Sequence, residues 1–556
     1  MASTAPSGMP SSKEKKYDRQ LRLWGADGQN KLEASHIALF GASAAGCEIL
    51  KNLILPGIGR FTIIDDKKVE ESDLGVNFFL DDDSVGKSRA ERTAALLGEL
   101  NPDVEGDYIE DSFSNLVATK PELFQPGWTP FTHIIVVSPF NTDDVLKLSP
   151  EIPTFLVHSI GSTAMLRISA STRCVVDTHP DTLIDLRLLN PWEELSAMVA
   201  EKTKDLGIAE KDGGMSDHEH GHVPYVLLLL KFLEDWKAAH GGNPPSTYAE
   251  KNAFKDMIRN SMRMDVPGGS EENYEEAIAA VLKNIRAAEI SSHTKAVLED
   301  PRCINPTPEC ETFWIIAHAV REFMNRDDQG AGLLPLSGGF PDMKAESSTY
   351  VALQNIYRSR ARRDATFVHE NAKAVLRKLG RDPELITLDE VSLFTKHANF
   401  VRRINYRTIA AEYNFPPDDF HKKAVTSALQ SYNAEWNPSL IYDYVALRAW
   451  QEYYSKIGQL PGEDDNYLDS DIREQMRITA VDYLSSIGYQ SNIDHRLDQM
   501  LQEIIRAGGS ELHVIASLIG GIVAQEIVKV ITSQYVPVNN TVIFDGIKSR
   551  TSVFEF

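Results

Sequence analysis

Cysteine is scarce. Four residues (Cys47, Cys174, Cys303 and Cys310) in a chain of 556 do not make a disulfide framework, and so few thiols suit a reducing compartment. A basic excess is missing as well: 57 Lys and Arg stand against 80 Asp and Glu, a formal net charge of −23. Nucleic acids and anionic bilayers are bound through clustered Lys and Arg, so this balance argues against both as partners. Nor is there an uninterrupted apolar run of the ~18–20 residues that a membrane-spanning helix needs. VPYVLLLL (223–230) is far too short, and Val514 to Ile531 is broken at helical spacing by Gln525, Glu526 and Lys529. The opening MASTAPSGMPSSKEKK has no apolar stretch of the secretory kind, and residues 1–16 read as a disordered leader. These absences predict a soluble chain of the cytoplasm or the nucleus; KEKK (13–16) is too short to choose between them.

What is present is ample core-forming material: 42% apolar residues, 25% charged residues, and length for three or four domains at ~150 residues each. HIALF (36–40) is a short apolar run that ends on Gly41. After GASAAG, the segment CEILKNLILPGIG sets Ile49, Leu50, Leu53 and Ile54 on one helical face, and FTIIDD follows. Strand, glycine-rich turn, helix and strand within about thirty residues is the βαβ unit of a doubly wound parallel sheet. HIIVVS (133–138) and PTFLVH (153–158) read as further buried strands. From about 185 to 480, helical periods dominate, at 223–237, 247–262, 273–289, 312–326, 347–379 and 439–456, with breaks at HGGNPP, DVPGGS and GAGLLPLSGGFPD. The last ~45 residues return to α/β character. The fold class expected is α/β, a Rossmann-like domain interrupted by a large, mainly helical insertion. Its parts are a first portion over 17–175, an insertion over 176–480 and a closing portion over 481–556.

The glycine turn is the first chemical candidate. A nucleotide site wants glycine at three positions, for the turn, for close backbone approach to phosphate, and for helix packing. Here they are Gly41, Ser43 and Gly46, so the middle one carries a side chain. Asp65 ends the second strand, where a ribose-binding acid sits in such folds. From these residues alone, nucleotide binding and a purely structural turn stand level.

YDRQLRLWG (17–25) puts Tyr17, Leu21 and Trp24 on one helical side and Arg19 and Arg22 elsewhere. By pattern alone this is an amphipathic arm docked on a core, its arginines solvated. Taken with the turn at 41–46, LPGIGRFTIIDD (55–66), VGKSRAERTA (85–94) and GGIVAQEIVKVIT (520–532), it resembles the ubiquitin-activating enzyme family and its bacterial adenylating relatives, in the family's order and spacing. The resemblance implies an ATP-binding set, of which Gly41, Gly46, Asp65 and the phosphate-binding Lys87 are kept. It also implies losses: an acid is replaced by Lys67, a phosphate-binding Arg by Val76 and the Mg²⁺-binding Asp by Phe140, before Asn141. Phe offers no hard oxygen to Mg²⁺, and Val cannot clamp phosphate. The domain is thus expected to be a pseudo-adenylation domain with a vestigial pocket, no metal site and no cofactor of its own.

In that family two adenylation folds pair, and the N-terminal arm of one lends an arginine to the nucleotide of the other; Arg19 holds that position. Length, the helical insertion and segments such as THPDTLIDLRLLNPWEEL (178–195), GGFPDMKAESSTYVALQNIY (338–357) and YDYVALRAW (442–450) resemble the noncatalytic halves of enzymes that activate Nedd/Rub-type ubiquitin-like modifiers. The implied partners are a catalytic subunit that binds ATP and Mg²⁺ and carries the thioester cysteine, the modifier itself, and a conjugating enzyme. A self-sufficient homodimeric adenylating enzyme using its own Gly41, Gly46, Asp65 and Lys87 is the rival reading, and a pure adaptor the third.

Three further constellations have plainer readings. His218, His220 and His222, with Asp217, could ligate a metal, but alternate histidines in a polar loop without cysteine read as solvated. Cys303 and Cys310 have no neighbouring base to lower a thiol pKa and read as core or surface cysteines, and Cys47 as a packing residue. In the C-terminal apolar helix, Gly520 and Gly521 are expected to allow close packing against the sheet, Ala524, Ile527 and Val528 to be buried, and Gln525, Glu526 and Lys529 to form a polar side open to a partner.

Overall fold

The sequence rule for a strand buried on both faces is a continuous apolar run, and the computed structural model places such runs at the centre of an eight-stranded sheet. The structure describes residues 11–208, 210–266, 269–326, 332–413, 417–432, 438–463, 470–489 and 495–556. The sheet strands are β1 (His36–Phe40), β2 (Arg60–Ile64), β3 (Glu105–Ile109), β4 (His133–Val137), β5 (Thr154–Ile160) and β6 (Thr163–Ser169). Strands β7 (Arg173–Val176) and β8 (Val401–Ile404) lie where the chain leaves this part of the molecule and where it returns, and β9 (Thr541–Asp545) and β10 (Arg550–Phe554) close the sheet. Its order is β10-β9-β6-β5-β4-β1-β2-β3. The five strands from β5 to β3 run parallel, with Ala38 level with Thr62 on one side and Ile134 on the other. The three at the other end are antiparallel.

Alternation along a strand sends successive side chains to opposite faces. Ile37 and Leu39 of β1 join Cys47, Ile49, Leu50 and Leu53 in one core. Ala38 and Phe40 join Leu116, Phe124, Ile134, Val136 and Phe140 in the other. The first core is roofed by two packed helices, Ala44–Ile54 and His513–Thr532. The second is long and apolar enough to cross a bilayer by length and composition alone, yet more than half of its apolar window is buried against its neighbours. A Cβ placed on Gly520 would come within 2.6 Å of the Glu48 Cβ, so the helix pair depends on this glycine for its approach. The expected packing against the sheet is not met at either glycine: Gly520 meets the helix Ala44–Ile54, and nothing lies within 4 Å of the equivalent point on Gly521. Glu526 is also not on an open polar side. It is buried, paired with Lys529 at 2.6 Å and accepting from the Val538 amide at 2.8 Å, which leaves Gln525 as the exposed residue of the three.

The chain divides into two units, Met1–Val175 with Ile404–Phe556, and Val176–Arg403. The helices between 404 and 480, which the helical periods assign to the insertion, therefore group with the sheet. Among them Ile441–Ile457 and Ser470–Ser486, with His495–Ala507, build a third core on Ile160 and Met165. Arg167 and Glu412, each almost fully buried, pair at 2.5 Å there, and Glu412 also accepts from the Tyr444 hydroxyl at 2.6 Å. Burial opposes the Glu412 charge, but Arg167 and Arg448 outweigh it and hold the carboxyl below its ordinary range.

The second unit is mainly helical. Its core is built around Tyr225–Ala239, Glu272–Asn284 and the 32-residue helix Ser347–Lys378. The histidine segment starts a short helix there, and His220 corrects the solvated reading: it is buried, its Nδ1 lies 2.7 Å from Glu271 Oε1, and the Tyr274 hydroxyl lies 3.1 Å from its Nε2. His218 and His222 stack on one another at 4.1 Å. Among the described residues no group of three or more His, Cys, Asp or Glu is placed to hold a metal.

Candidate functional site

In a doubly wound sheet, ligands bind beyond the carboxyl ends of the strands, where the strand order reverses. That point here is the end of β1, flanked by β2 and β4. Gly41 follows β1 with φ +91°, a backbone that favours glycine, and a Cβ on Gly46 would press on the Gly41 carbonyl oxygen at 2.7 Å. The first and third glycines thus do what their positions require. Ser43 caps the helix Ala44–Ile54, its hydroxyl oxygen accepting from the Gly46 amide at 3.4 Å.

Helix N-termini leave amides unsatisfied, and in nucleotide-binding folds a phosphate takes them. In this chain a carboxylate does. The Ala44 amide donates to Glu511 Oε2 at 2.7 Å, the Ala45 amide to Oε1 at 3.2 Å, and the Ser43 hydroxyl to Oε1 at 3.2 Å. Burial pushes the Glu511 carboxyl up from its ordinary value, opposed by the two amides, the hydroxyl and the charge of Arg89.

Asp65, at the end of β2, is buried and saturated. Its Oδ2 accepts from the Ala42 amide at 2.7 Å and from Arg89 Nε and Nη2 at 3.0 and 2.7 Å, while Oδ1 accepts from the Lys67 amide at 2.8 Å. Lys87 lies two residues before Arg89 and is exposed, its backbone held by Ser84 and Val69. Val76 packs against the core, and its carbonyl accepts from His513 Nδ1 at 2.9 Å. Phe140 is buried in the core beside His158, its ring 5.2 Å away, and its carbonyl accepts from Gln451 Nε2. The neighbouring oxygens are engaged: Asn141 caps the next turn through the Asp143 amide, and Asp144 pairs with Lys147 at 2.9 Å.

The N-terminal arm is firmly seated, and the expected disordered leader is corrected where it is described. Residues 1–10 lie outside the described residues, but Ser12–Lys16 form a short helix, Lys16 pairing with Asp103 at 2.6 Å. Tyr17 is buried, its hydroxyl donating to Asp103 at 3.1 Å and accepting from Asn101 at 3.0 Å, and Trp24 Nε1 donates to Gln29 at 3.1 Å. Between these anchors Arg19 is exposed and makes no hydrogen bond or ion pair with the described residues, whereas Arg22 pairs with Asp18 at 3.0 Å.

The structure thus brings Gly41, Gly46 and Asp65 together and leaves Lys87 and Arg19 at the surface. Sequence reasoning missed Glu511 and Arg89. Arg89 stood in a quoted segment with nothing to single it out, and Glu511 lies 467 residues from the amide it binds.

Residues 17–134 match the ThiF family. The NEDD8-activating enzyme E1 regulatory subunit of Danio rerio is 36% identical over 553 residues, covering 98% of this chain and 99% of its own length. The chain belongs to the NEDD8-activating enzyme E1 regulatory subunits. The Drosophila melanogaster relative of the same name is 37% identical over 99% of both chains. The regulatory subunit AXR1 of Arabidopsis thaliana is 36% identical over 97% of this chain and 96% of its own. In this member of the regulatory subunits, burial pushes the Cys303 and Cys47 thiols each up to about 12, and the Cys310 sulfur lies 3.6 Å from the Thr307 hydroxyl.

Proposed function

We propose that this regulatory subunit of a heterodimeric NEDD8-activating enzyme serves a nucleotide that its catalytic partner holds. The observation that carries the reading is the state of its own turn. The helix N-terminus where a phosphate would rest holds Glu511, the acid that would take ribose holds Arg89, and Phe140 presents no oxygen to Mg²⁺. These residues do not fit a magnesium nucleotide. ATP and Mg²⁺ belong to the partner, which activates the modifier's C-terminal carboxylate and takes it as a thioester.

What this chain offers the pair is a scaffold and a cation. Arg19 projects from an arm pinned by Tyr17 and Trp24, and its guanidinium has no internal partner among the described residues to turn away from. A planar, permanently charged fork of donors suits phosphate oxygens, and placed from a neighbouring subunit it stabilises charge developing there. The helical second unit supplies surface for the modifier and the conjugating enzyme.

The test is modifier-dependent ATP–pyrophosphate exchange, on this chain alone and with its catalytic subunit. Activity is expected only in the mixture, and Arg19→Ala is expected to lower it about a hundredfold. Exchange by the isolated chain, or an unaffected Arg19→Ala pair, contradicts the reading.

A further inference from the structure

The glycine turn is not simply degraded; it is occupied. Four consecutive residues, Ser510 to His513, are fixed at three points. The Ser510 carbonyl accepts from the Gly161 amide at 2.8 Å, at the bend between β5 and β6. Glu511 spreads both carboxylate oxygens over the Ser43 hydroxyl and the Ala44 and Ala45 amides. His513 donates to the Val76 carbonyl at 2.9 Å and stacks on Phe78 with ring centroids 3.7 Å apart. The strap therefore covers the end of β5, the glycine turn and the Val76 segment in one pass.

Its central contact has the chemistry of a bound anion. A phosphate at this position would bring oxygens to the same amides, and a carboxylate with both oxygens engaged reproduces that charge and valence. A local cap is already present in Ser43, so Glu511 takes the donors that Ser43 leaves open. The opposite end of the pocket is filled in the same manner with the opposite sign, since both Nε and Nη2 of Arg89 occupy Asp65.

We infer that Ser510–His513 is an occluding strap: Glu511 acts as a permanent internal substitute for nucleotide phosphate, keeping the turn closed and locking the C-terminal portion of the domain onto the N-terminal βαβ unit. This deepens the reading that the chain binds no nucleotide of its own, by naming what excludes it. The closed turn gives the domain, without any ligand, the clasp that a phosphate would otherwise provide.

The full-length chain tests this with inorganic phosphate and ATP as probes. In ¹⁵N-alanine-labelled parent protein, the Ala44 and Ala45 amide signals are expected to ignore both. Glu511→Ala is expected to melt lower without added anion, to recover as phosphate is added, and to bind phosphate at least tenfold more tightly than the parent, with the Ala44 and Ala45 signals reporting it. Glu511→Gln, which keeps the shape and loses the charge, is expected to move both signals in the absence of any ligand. Parent signals that shift with ATP would overturn both the strap and the reading beneath it. A folded Glu511→Ala chain with no phosphate response, beside a silent parent, would overturn the strap alone. Should Glu511→Ala not fold, Glu511→Gln decides: unmoved Ala44 and Ala45 signals refute the contact.

Discussion

Arg89 places two donors, Nε at 3.0 Å and Nη2 at 2.7 Å, on a single oxygen of Asp65, and its Nη1 reaches Asp73 at 3.3 Å. The Asp65 side chain is only 3% exposed, so the guanidinium is its counter-charge in a place water does not reach. Removing one partner of a buried pair strands the other, at a cost of about 3–5 kcal/mol. Arg89→Ala is expected to lose stability on that scale in denaturant unfolding. Arg89→Lys, which keeps the charge but not the fork, is expected to lose less.

The two glycines near the middle of the helix His513–Thr532 separate packing from propensity. Gly520→Ala puts a methyl 2.6 Å from the Glu48 Cβ and 3.1 Å from its carbonyl carbon, and overpacking of that kind costs about 1–3 kcal/mol. Gly521→Ala meets nothing within 4 Å and is expected to stabilise the isolated chain by about 0.5–1 kcal/mol through helix propensity. Thermal unfolding of the two variants side by side gives opposite shifts if the contact is as described.

Asp443, on the helix Ile441–Ile457, supplies a pH dependence. It is buried, its Oδ1 has no hydrogen-bond partner among the described residues, and burial together with the charge of Asp545 pushes its carboxyl up to about 7. The folded state therefore holds this proton more tightly than the unfolded chain. Its contribution to stability is complete below about pH 4 and is lost as pH rises through about 7. Asp443→Asn is expected to match the parent near pH 4 and to exceed it above pH 7 by on the order of 2–4 kcal/mol. Urea titrations across that range measure the crossover, and a constant difference at all pH values would contradict it.

What could be read from the sequence was local in origin. β1, the glycine turn, its helix and β2 follow from apolar runs and glycine spacing within thirty residues. The helical periods anticipate Tyr225–Ala239, Thr312–Met324 and Ser347–Lys378 to within a few residues. Asp65 and Gly46 stand where the pattern puts them. What escaped depends on residues that meet only after folding. His220 sits in a polar stretch, and nothing nearby shows that Glu271 and Tyr274 wait 51 and 54 residues away. Nothing beside Glu511 in the sequence marks it, because its partners are 466 to 468 residues upstream. The grouping of the helices after 404 with the sheet follows from side chains such as Ile160, Met165 and Ile543, which periodicity within a helix does not reveal.

The sheet has a consequence for the chain as it is synthesised. β6 ends at Ser169, and the strand that pairs with its free edge, β9, begins only at Thr541. The helix His513–Thr532, which covers the apolar face of Ala44–Ile54, emerges just as late. At roughly 5–20 residues per second, a nascent chain carries an unpaired strand edge and an uncovered hydrophobic face for tens of seconds after the βαβ unit has left the ribosome. During that interval the open edge and the bare apolar face are sites where another chain can pair or adhere, a hazard that ends only when β9 and the helix His513–Thr532 are in place.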